Sequence, residues 1–491
     1  MMGLALITCM ISHATSETLY GTWTVTSYGN TLSSDEGGVV IVSNEGELDN
    51  VTGIIPPFGV GNMLFSSVPS ATVNGITVYS AVREEYIAGQ RSNAFLLARY
   101  YEGMMIVDIS IPSRNITMRF DNVYDHFQLP NSDMEAWTNA NSEPDRWHGF
   151  KTATGAFASL SPALLEKSED VHNGSNGQYS AVVTAKSAGF SIANGTMTNG
   201  QLNAASWTAT STSNHASMDQ SYGDDFYMPL YAKPDQFKVW LQYKQGTTNA
   251  NNKASVSVKT FDGTYYQEPA DKTYTNLSGS IVGGQVDACD WTEFTFPIDY
   301  DSYADNNAAT QAIFVTFSTN ANPGQGSSND QLFIDDMALI YLASMTDLRY
   351  QGTTITGWDP AVTEYNMEFA SAPSLDDFAA TVTGASAVVT KSMEQNEDGS
   401  YRIAISAVSG DLQTATAYII NATVAAATSL GDVDEDGEVN IGDVTTLINY
   451  LLTGNDGINL VNADVDGDKE ITINDVTTLI NYLLTGTFTM N

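Results

Sequence analysis

The sequence predicts a mainly β chain of several domains that closes on a small α-helical repeat. Three observations predict it. Between residues 18 and 426, apolar and polar residues alternate in short runs broken by Gly, Asn and Pro, the period of half-buried strands. At 491 residues the chain exceeds what one core accommodates and suits about three or four domains. The end breaks the pattern: the phrase VTTLINYLLTG occurs at 444–454 and again, unchanged, at 476–486, with apolar residues at helical spacing.

Residues 1–17 read as a signal peptide. An apolar core runs from Leu4 to Ile11, and Ser12-His13-Ala14 suits cleavage after Ala14, although the basic residues of an n-region are missing. A lipobox at Leu6–Cys9 is the poorer alternative, because Thr8 precedes the Cys. Cleavage leaves Cys289 as the single Cys, so no internal disulfide is expected. No later stretch reaches the roughly 18 apolar residues of a transmembrane span.

Charge narrows the partners. With 19 basic against 57 acidic residues the formal net charge is −38. Phosphate binding needs Lys and Arg, so nucleic acid is excluded as a general partner, and anionic membrane surfaces are disfavoured.

Residues 18–120 carry the runs LYGTWTVTSYG, GGVVIVSN, LFSSV, GITVYSAV, AFLLARYY, MMIVDISI and NITMRF, separated by turn residues such as Gly37-Gly38 and Asn74-Gly75. Many short strands at this spacing predict an antiparallel barrel or sandwich. The opening Gly21-Thr22-Trp23 resembles the GxW start of lipocalin-type barrels, and the segment resembles the calycin-like domains of proteins secreted by carbohydrate-degrading anaerobes. The resemblance implies a lipocalin-like barrel whose floor is closed by Trp23 with a late Arg stacked across it; Arg119 is the candidate. Two interiors stay open, a packed core and a ligand cavity.

Residues 124–343 form the largest unit. Its interior runs, GQYSAVVTA, FKVWLQYK, ASVSVKTF, WTEFTFPI and QAIFVTFST, are β-patterned. The opening N-x-D-x-E-x-W at 131–137, the following Trp147 and the closing strand LFIDDMALIYL resemble a jelly-roll carbohydrate-binding module. They resemble more closely the carbohydrate metabolism domain of secreted bacterial proteins. In related jelly rolls the first and last strands hold a structural Ca²⁺. The resemblance carries this onto Glu135 and one of Asp335 or Asp336. Alternation along the strand favours Asp336, on the side of Leu332, Ile334 and Ala338, hence inward, where a carboxylate needs a partner. A surface acid pair is the alternative. For sugar, an aromatic among polar neighbours is informative. In FKVWLQYK, Phe237, Val239, Leu241 and Tyr243 share one face, and Trp240 shares the other with Lys238, Gln242 and Lys244. Trp240 is therefore the first platform candidate, with Trp207, Tyr265 and Tyr266 behind it; burial of Trp240 under a covering loop is the alternative. Trp137 and Trp147 read as core covers.

Residues 344–426 hold seven strand-like runs, and TTITGWDPAVTEYNMEF resembles the opening of bacterial cadherin-like or immunoglobulin-like β-sandwich repeats. The length suits one such Ig-like sandwich acting as a spacer.

Residues 428–491 contain the repeat. Each copy opens with acids at alternate positions. Ca²⁺ takes about six to eight oxygens, supplied in a loop of about 12 residues from positions 1, 3, 5, 7, 9 and 12. In the first copy these are Asp432, Asp434, Asp436, Glu438 through its carbonyl, Asn440 and Asp443; in the second, Asp464, Asp466, Asp468, Glu470 through its carbonyl, Thr472 and Asp475. Two Ca²⁺ ions are expected. Position 6 needs a sharp turn, which Gly437 suits and Lys469 does not. Behind the loops, Val444, Leu447, Ile448, Leu451 and Leu452 share one helical face, as do Val476, Leu479, Ile480, Leu483 and Leu484. The entering helix of an EF-hand is missing and position 12 is Asp. This duplicated loop–helix resembles a type I dockerin, which implies a cohesin-like partner, and a secreted or cell-surface-attached protein. Dockerins contact cohesins through loop positions 10 and 11, here Ile441-Gly442 and Ile473-Asn474 rather than a Ser/Thr pair. An acidic calcium-binding linker without partner is the alternative.

Among catalytic motifs, GxSxG, HExxH, CxxC and GxxxxGK[ST] are absent, and the five His are scattered. A glycosidase needs only two carboxylates, about 5–5.5 Å or about 6.5–9.5 Å apart, which a sequence with this many acids leaves open. No catalytic residue is nominated. The sequence leaves three readings: a non-catalytic secreted protein that binds polysaccharide or glycan through the jelly roll and is tethered by its tail, a glycoside hydrolase of unrecognised type, and an adhesion protein with a protein ligand.

Overall fold

The computed structural model describes residues 21–28, 38–44, 47–55, 60–66, 69–87, 90–101, 104–111, 116–121, 127–138, 142–425, 430–454 and 457–487, with side chains from residue 69 onward except at 83–91, 105 and 116–121. The signal-peptide expectation (1–17) lies outside the described residues, and the Trp23–Arg119 floor lies outside the described side chains. One compact unit runs to Tyr365 and includes Leu375–Glu394 and Ile403–Ile419; the other holds Asn366–Ser374, Gln395–Arg402 and the chain from Ile420.

The first unit opens with nine antiparallel strands: β1 (Gly21–Tyr28), β2 (Gly38–Asn44), β3 (Glu47–Ile55), β4 (Val60–Ser66), β5 (Ser70–Val73), β6 (Ile76–Ile87), β7 (Gln90–Tyr101), β8 (Met104–Ile111) and β9 (Ile116–Asp121). Their order is β4-β3-β2-β1-β9-β8-β7-β6-β5. First and last strands pair and β4 lies beside β6, so the sheet curls into a nearly closed barrel. Along β7, Ala94, Leu96, Ala98 and Tyr100 are buried, and Leu96 and Ala98 register with Ile109 and Val107 of β8. The opposite face is buried too. Ile76, Val78, Met104 and Ile106 join one core with Val388, Val408 and Leu412. In that outer face Arg99 is fully buried, pairs with Asp108 and donates from Nε to the Leu412 carbonyl at 2.9 Å. An outer barrel face that holds a buried Arg is invisible to periodicity.

The central strands form a ten-stranded sheet in which Cys289–Asp299 pairs with both Gln236–Lys244 and Leu277–Ile281. Phe237, Val239, Leu241 and Tyr243 face inward as their alternation predicts, and pack in the core with Val256, Val258, Val315 and Phe317. The last strand, Gln331–Ile340, departs from strict alternation. Trp240 registers with Asp335, but Lys238 registers with Ala338, so one extra residue is inserted between them. Asp336 takes φ +41° there. This β-bulge shifts the inward set from Leu332 and Ile334 to Met337 and Leu339. The expectation that Asp336 points into the core is thereby corrected: Asp335 is fully buried, and Asp336 is half-buried at the bulge.

Strands between 345 and 424 form a three-stranded and a four-stranded sheet. Asp235, from the loop before Gln236–Lys244, accepts from Leu342 N and Ala385 N, both at 2.7 Å, and so ties the central strands to this part of the same unit.

In the second unit α1 (Ile441–Thr453), α2 (Leu460–Ala463) and α3 (Ile473–Thr485) pack around Val433, Val444, Leu447, Ala463, Val465, Val476 and Leu479. Three of these pairs, 433/465, 444/476 and 447/479, are the same residue 32 positions apart, so each copy buries its apolar face on the other. Both long helices begin with a capping box and end on a glycine with positive φ, Gly454 and Gly486. The predicted apolar face was too wide: Leu452 and Leu484 are 77% and 79% exposed, and Leu451 and Ile480 are only partly covered. Two short helices bury one narrow stripe each.

Candidate functional sites

A groove of about 610 Å³ lies on the outer face of the central strands. Its floor is made of hydroxyls. Ser255 and Ser257 alternate with the core residues Val256 and Val258, Thr316 and Ser318 with Val315 and Phe317, and Thr196 precedes buried Met197. The register sets Ser318 beside both Ser255 and Thr196, and Thr316 beside Ser257. A small sheet of Gln201–Ala204, Asn214–Met218 and Tyr266–Glu268 walls the groove and contributes Asn203, Asn214, Tyr266 and Glu268. Glu268 Oε2 accepts from Ser257 Oγ at 2.6 Å, and it is the one carboxylate among the described residues lining the groove.

Trp207 stands at the rim, 67% exposed, with its ring 4.8 Å from Phe157. Its loop is fixed by one side chain. Asn214 accepts from Ala205 N and Ser206 N and donates to the carbonyls of Ser206 and Thr208, all within 3.0 Å. An exposed indole on a pre-ordered loop is organised for a flat apolar ligand face. Of the four aromatic candidates, the structure brings Trp207 and Tyr266 to the groove; Tyr266 is buried in its wall, and Tyr265 is turned away with its hydroxyl on Gln267 Oε1 at 2.8 Å. Trp240 is elsewhere. His172 stacks flat on it at 4.1 Å and 2°, so the first platform candidate carries one covered face. Sequence reasoning missed Phe157 and Phe190. Phe190 is fully exposed at a hairpin tip whose neighbours Ala188 and Ser191 line the groove, and a large aromatic after Gly189, in a short polar turn, was the available signal.

A second cluster lies at the bulge. His172 Nε2 is 2.6 Å from Asp336 Oδ2, and ligand-type atoms of His172, Asp335 and Asp336 lie within 4.8 Å of one another. Asp335 accepts from Asp336 N through Oδ1, whereas its buried Oδ2 has no hydrogen-bond partner. Burial, then the neighbouring Asp336, pushes the Asp335 carboxyl up to about 7. Glu135 Oε1 accepts from Gln178 N and Tyr179 N, both at 2.7 Å, which ties the turn segment 131–138 to the loop beside His172. An orphaned buried carboxylate oxygen next to a second carboxylate fits a hard cation better than it fits a free acid pair. Glu143 is fully buried and accepts from Gly149 N, Lys151 N and Thr152 Oγ1, so it organises the loop after Trp147.

The acidic loops of the tail are nearly superposable in their bonding. Carboxylates of Asp432, Asp434 and Asp443 converge within 4.8 Å, as do those of Asp464, Asp466 and Asp475. Position 12 is spent twice over: Asp443 accepts from Val433 N and Asn440 N, and Asp475 from Asp466 N and Thr472 N. Asp432 Oδ1 and Asp464 Oδ1, at position 1, are buried without partners. Burial and the adjacent Asp443, Asp436 and Asp432 hold the Asp434 carboxyl above its ordinary range. Asp436 and Asp468 accept from Glu438 N and Glu470 N and keep the loop turned. Asn440 and Thr472 cap the helices, accepting from Gly442 N and Asn474 N.

Two positions per loop, not one, are left-handed. Position 4 is Glu435 (φ +59°) in the first loop and Gly467 (φ +78°) in the second; position 6 is Gly437 (φ +89°) and Lys469 (φ +70°). Each loop thus has one glycine and one strained side chain. We expect Lys469→Gly and Glu435→Gly each to stabilise the calcium-loaded tail by about 1 kcal/mol, read as a higher melting temperature of its helical signal.

The four partner candidates sit at the starts of the long helices. Ile441 and Ile473 are 69% and 65% exposed, followed by Gly442 and Asn474. Ile441, Thr445, Ile448 and Leu452 follow one line along α1, and Ile473, Thr477, Ile480 and Leu484 repeat it on α3.

No helix among the described residues is long and apolar enough to cross a membrane. No curated protein matches the chain. Among solved structures, the chain is similar to a candidate glycoside hydrolase from Bacteroides thetaiotaomicron VPI-5482, at 13% identity and TM-score 0.32 over 67% of this chain and 98% of that one. It is similar to the CBM22-1 xylan-binding domain of Paenibacillus barcinonensis Xyn10C, at 11% identity and TM-score 0.21 over 43% and 90%. It is also similar to the CBM22-1–CBM22-2 tandem of that protein, at 9% identity and TM-score 0.21 over 66% and 98%. At these scores the likenesses carry no argument about ligand or activity. The match at the end of the chain is of another kind: residues 430–484 match the type I dockerin domain family, so the duplicated calcium loops and their paired helices are a C-terminal type I dockerin.

Proposed function

We propose that the chain is a secreted, non-catalytic modular protein that binds glycan in the groove of a jelly-roll domain, roughly residues 124–343, and is tethered to a cohesin-type partner through its dockerin. The groove carries the reading. It combines a hydroxyl floor, amide-bearing walls and an exposed indole on a braced loop. One carboxylate among its described residues supports binding over glycosidic cleavage, which uses two. Trp207→Ala in the full chain is expected to lower affinity for soluble polysaccharides at least about tenfold in affinity gel electrophoresis, with melting unchanged because the ring is exposed. Unaltered retardation by every polysaccharide tested would remove the groove from consideration.

The tether rests on the two copies of one exposed stripe. Each copy presents the same residues, so one intact copy suffices. Calcium-dependent binding to recombinant type I cohesins is expected to survive Ile441→Asp or Ile473→Asp alone. It is expected to fall by about a hundredfold or more in the double variant. Equal loss in one single variant would assign the contact to one helix.

At the bulge, Asp335 and Asp336 are proposed as carboxylate ligands of a structural Ca²⁺, with Glu135 adding negative charge and His172 orienting Asp336. All seven Trp precede residue 430, so Trp fluorescence reports the β part without the tail. Chelation is expected to lower the fluorescence melting temperature of the wild type by several degrees and to leave that of Asp335→Asn unchanged, since the amide removes the buried charge that the cation neutralises. Equal shifts in both would leave no cation at Asp335.

A further inference from the structure

We infer, resting on the glycan reading, that the groove selects neutral, hydroxyl-rich glycans and rejects uronate- or sulfate-bearing ones, with Glu268 as the selecting residue. Among the described residues the groove lining includes no Lys and no Arg. Anionic sugars are held by guanidinium or ammonium groups, which pair with carboxylate or sulfate. The charge present is of the opposite kind. Glu268 lies at the wall, and the Ser257 hydroxyl engages its Oε2, which fixes the carboxylate toward the floor strands. His215, also in the wall, places Nδ1 2.9 Å from the Thr212 carbonyl. The floor hydroxyls and the Glu268 carboxylate supply acceptors. Sugar hydroxyls donate to such groups, whereas a uronate brings a second negative charge against Glu268.

The chain's net charge of −38 repels any polyanion at long range. The local effect is isolated by working at about 0.3 M salt, where the Debye length falls below roughly 6 Å. Full-length protein, with calcium, is measured against a neutral β-glucan, a neutral xylan and polygalacturonate, as wild type, Glu268→Gln and Trp207→Ala. Glu268→Gln keeps an oxygen for the Ser257 hydroxyl and so leaves the wall intact. The wild type is expected to bind at least one neutral polymer at least about tenfold more tightly than polygalacturonate, and Glu268→Gln to narrow that ratio severalfold. Polygalacturonate bound as tightly as the neutral polymers, or a ratio unmoved by Glu268→Gln, overturns the inference while glycan binding itself stands, provided Trp207→Ala abolishes it. Binding to none of the three overturns both.

Discussion

Removing calcium is expected to abolish the helical circular-dichroism signal of residues 430–487 while the β signal of the rest persists. The tail has no independent means of holding its loops closed. Residues 430–491 hold twelve acids and one Lys, and three carboxylates converge within 4.8 Å in each loop. Asp432 Oδ1 and Asp464 Oδ1 are buried with nothing to bond. Among the described residues its apolar core has seven buried side chains. A cation present at about a thousand times its dissociation constant stabilises the folded form by about 4 kcal/mol per site, so two sites contribute on the order of the whole stability of a small domain. Withdrawing both leaves the repulsion and removes its counterweight. Calcium titration after chelation should restore the signal, and Asp432→Ala or Asp464→Ala should leave one copy needing far more calcium. A helical signal indifferent to excess chelator would refute the account.

Arg99→Met is expected to destabilise the first unit by about 3–5 kcal/mol, the typical cost of breaking a buried ion pair by removing one partner. Arg99 has no exposed surface, pairs with Asp108 on the neighbouring strand, and donates to the Leu412 carbonyl across the outer face of the barrel. Met keeps much of the apolar volume and removes the ion pair with Asp108 and the bond to the Leu412 carbonyl. The readout is the first unfolding transition followed by Trp fluorescence, with a downward shift of about 10 °C. A shift of only a degree or two would mean that the ion pair is replaceable and that the apolar residues around it, Ile76, Val78, Met104 and Ile106, hold the face by themselves.

Much of the tail was legible because its chemistry is local. Ligand spacing, capping residues and terminal glycines all act within about one or two turns of chain, and the exact repeat told where the second copy would pack. Even there the reading missed that position 4 is left-handed, because that requirement comes from closing the loop on its ligands. The Phe237–Tyr243 face was legible for the same local reason. Asp336 was not: a single inserted residue reverses the parity of a strand, and nothing in LFIDDMALIYL marks where it occurs. Trp240 and Trp207 show the limit most clearly. Both sit among polar neighbours in sequence, yet one is covered by His172, 68 positions away, and the other is free at a groove rim.

By itself the sequence determined the β class, the calcium-loop repeat and the attachment role implied by its resemblance, since periodicity and ligand spacing are properties of neighbouring residues. Only the tertiary structure decided which aromatic is available, which carboxylate is buried, that the barrel's outer face is covered, and that five hydroxyls from three strands form one floor. Those facts depend on which distant strands pair and in what register, and register is fixed by the packing of the whole core rather than by any one stretch of chain.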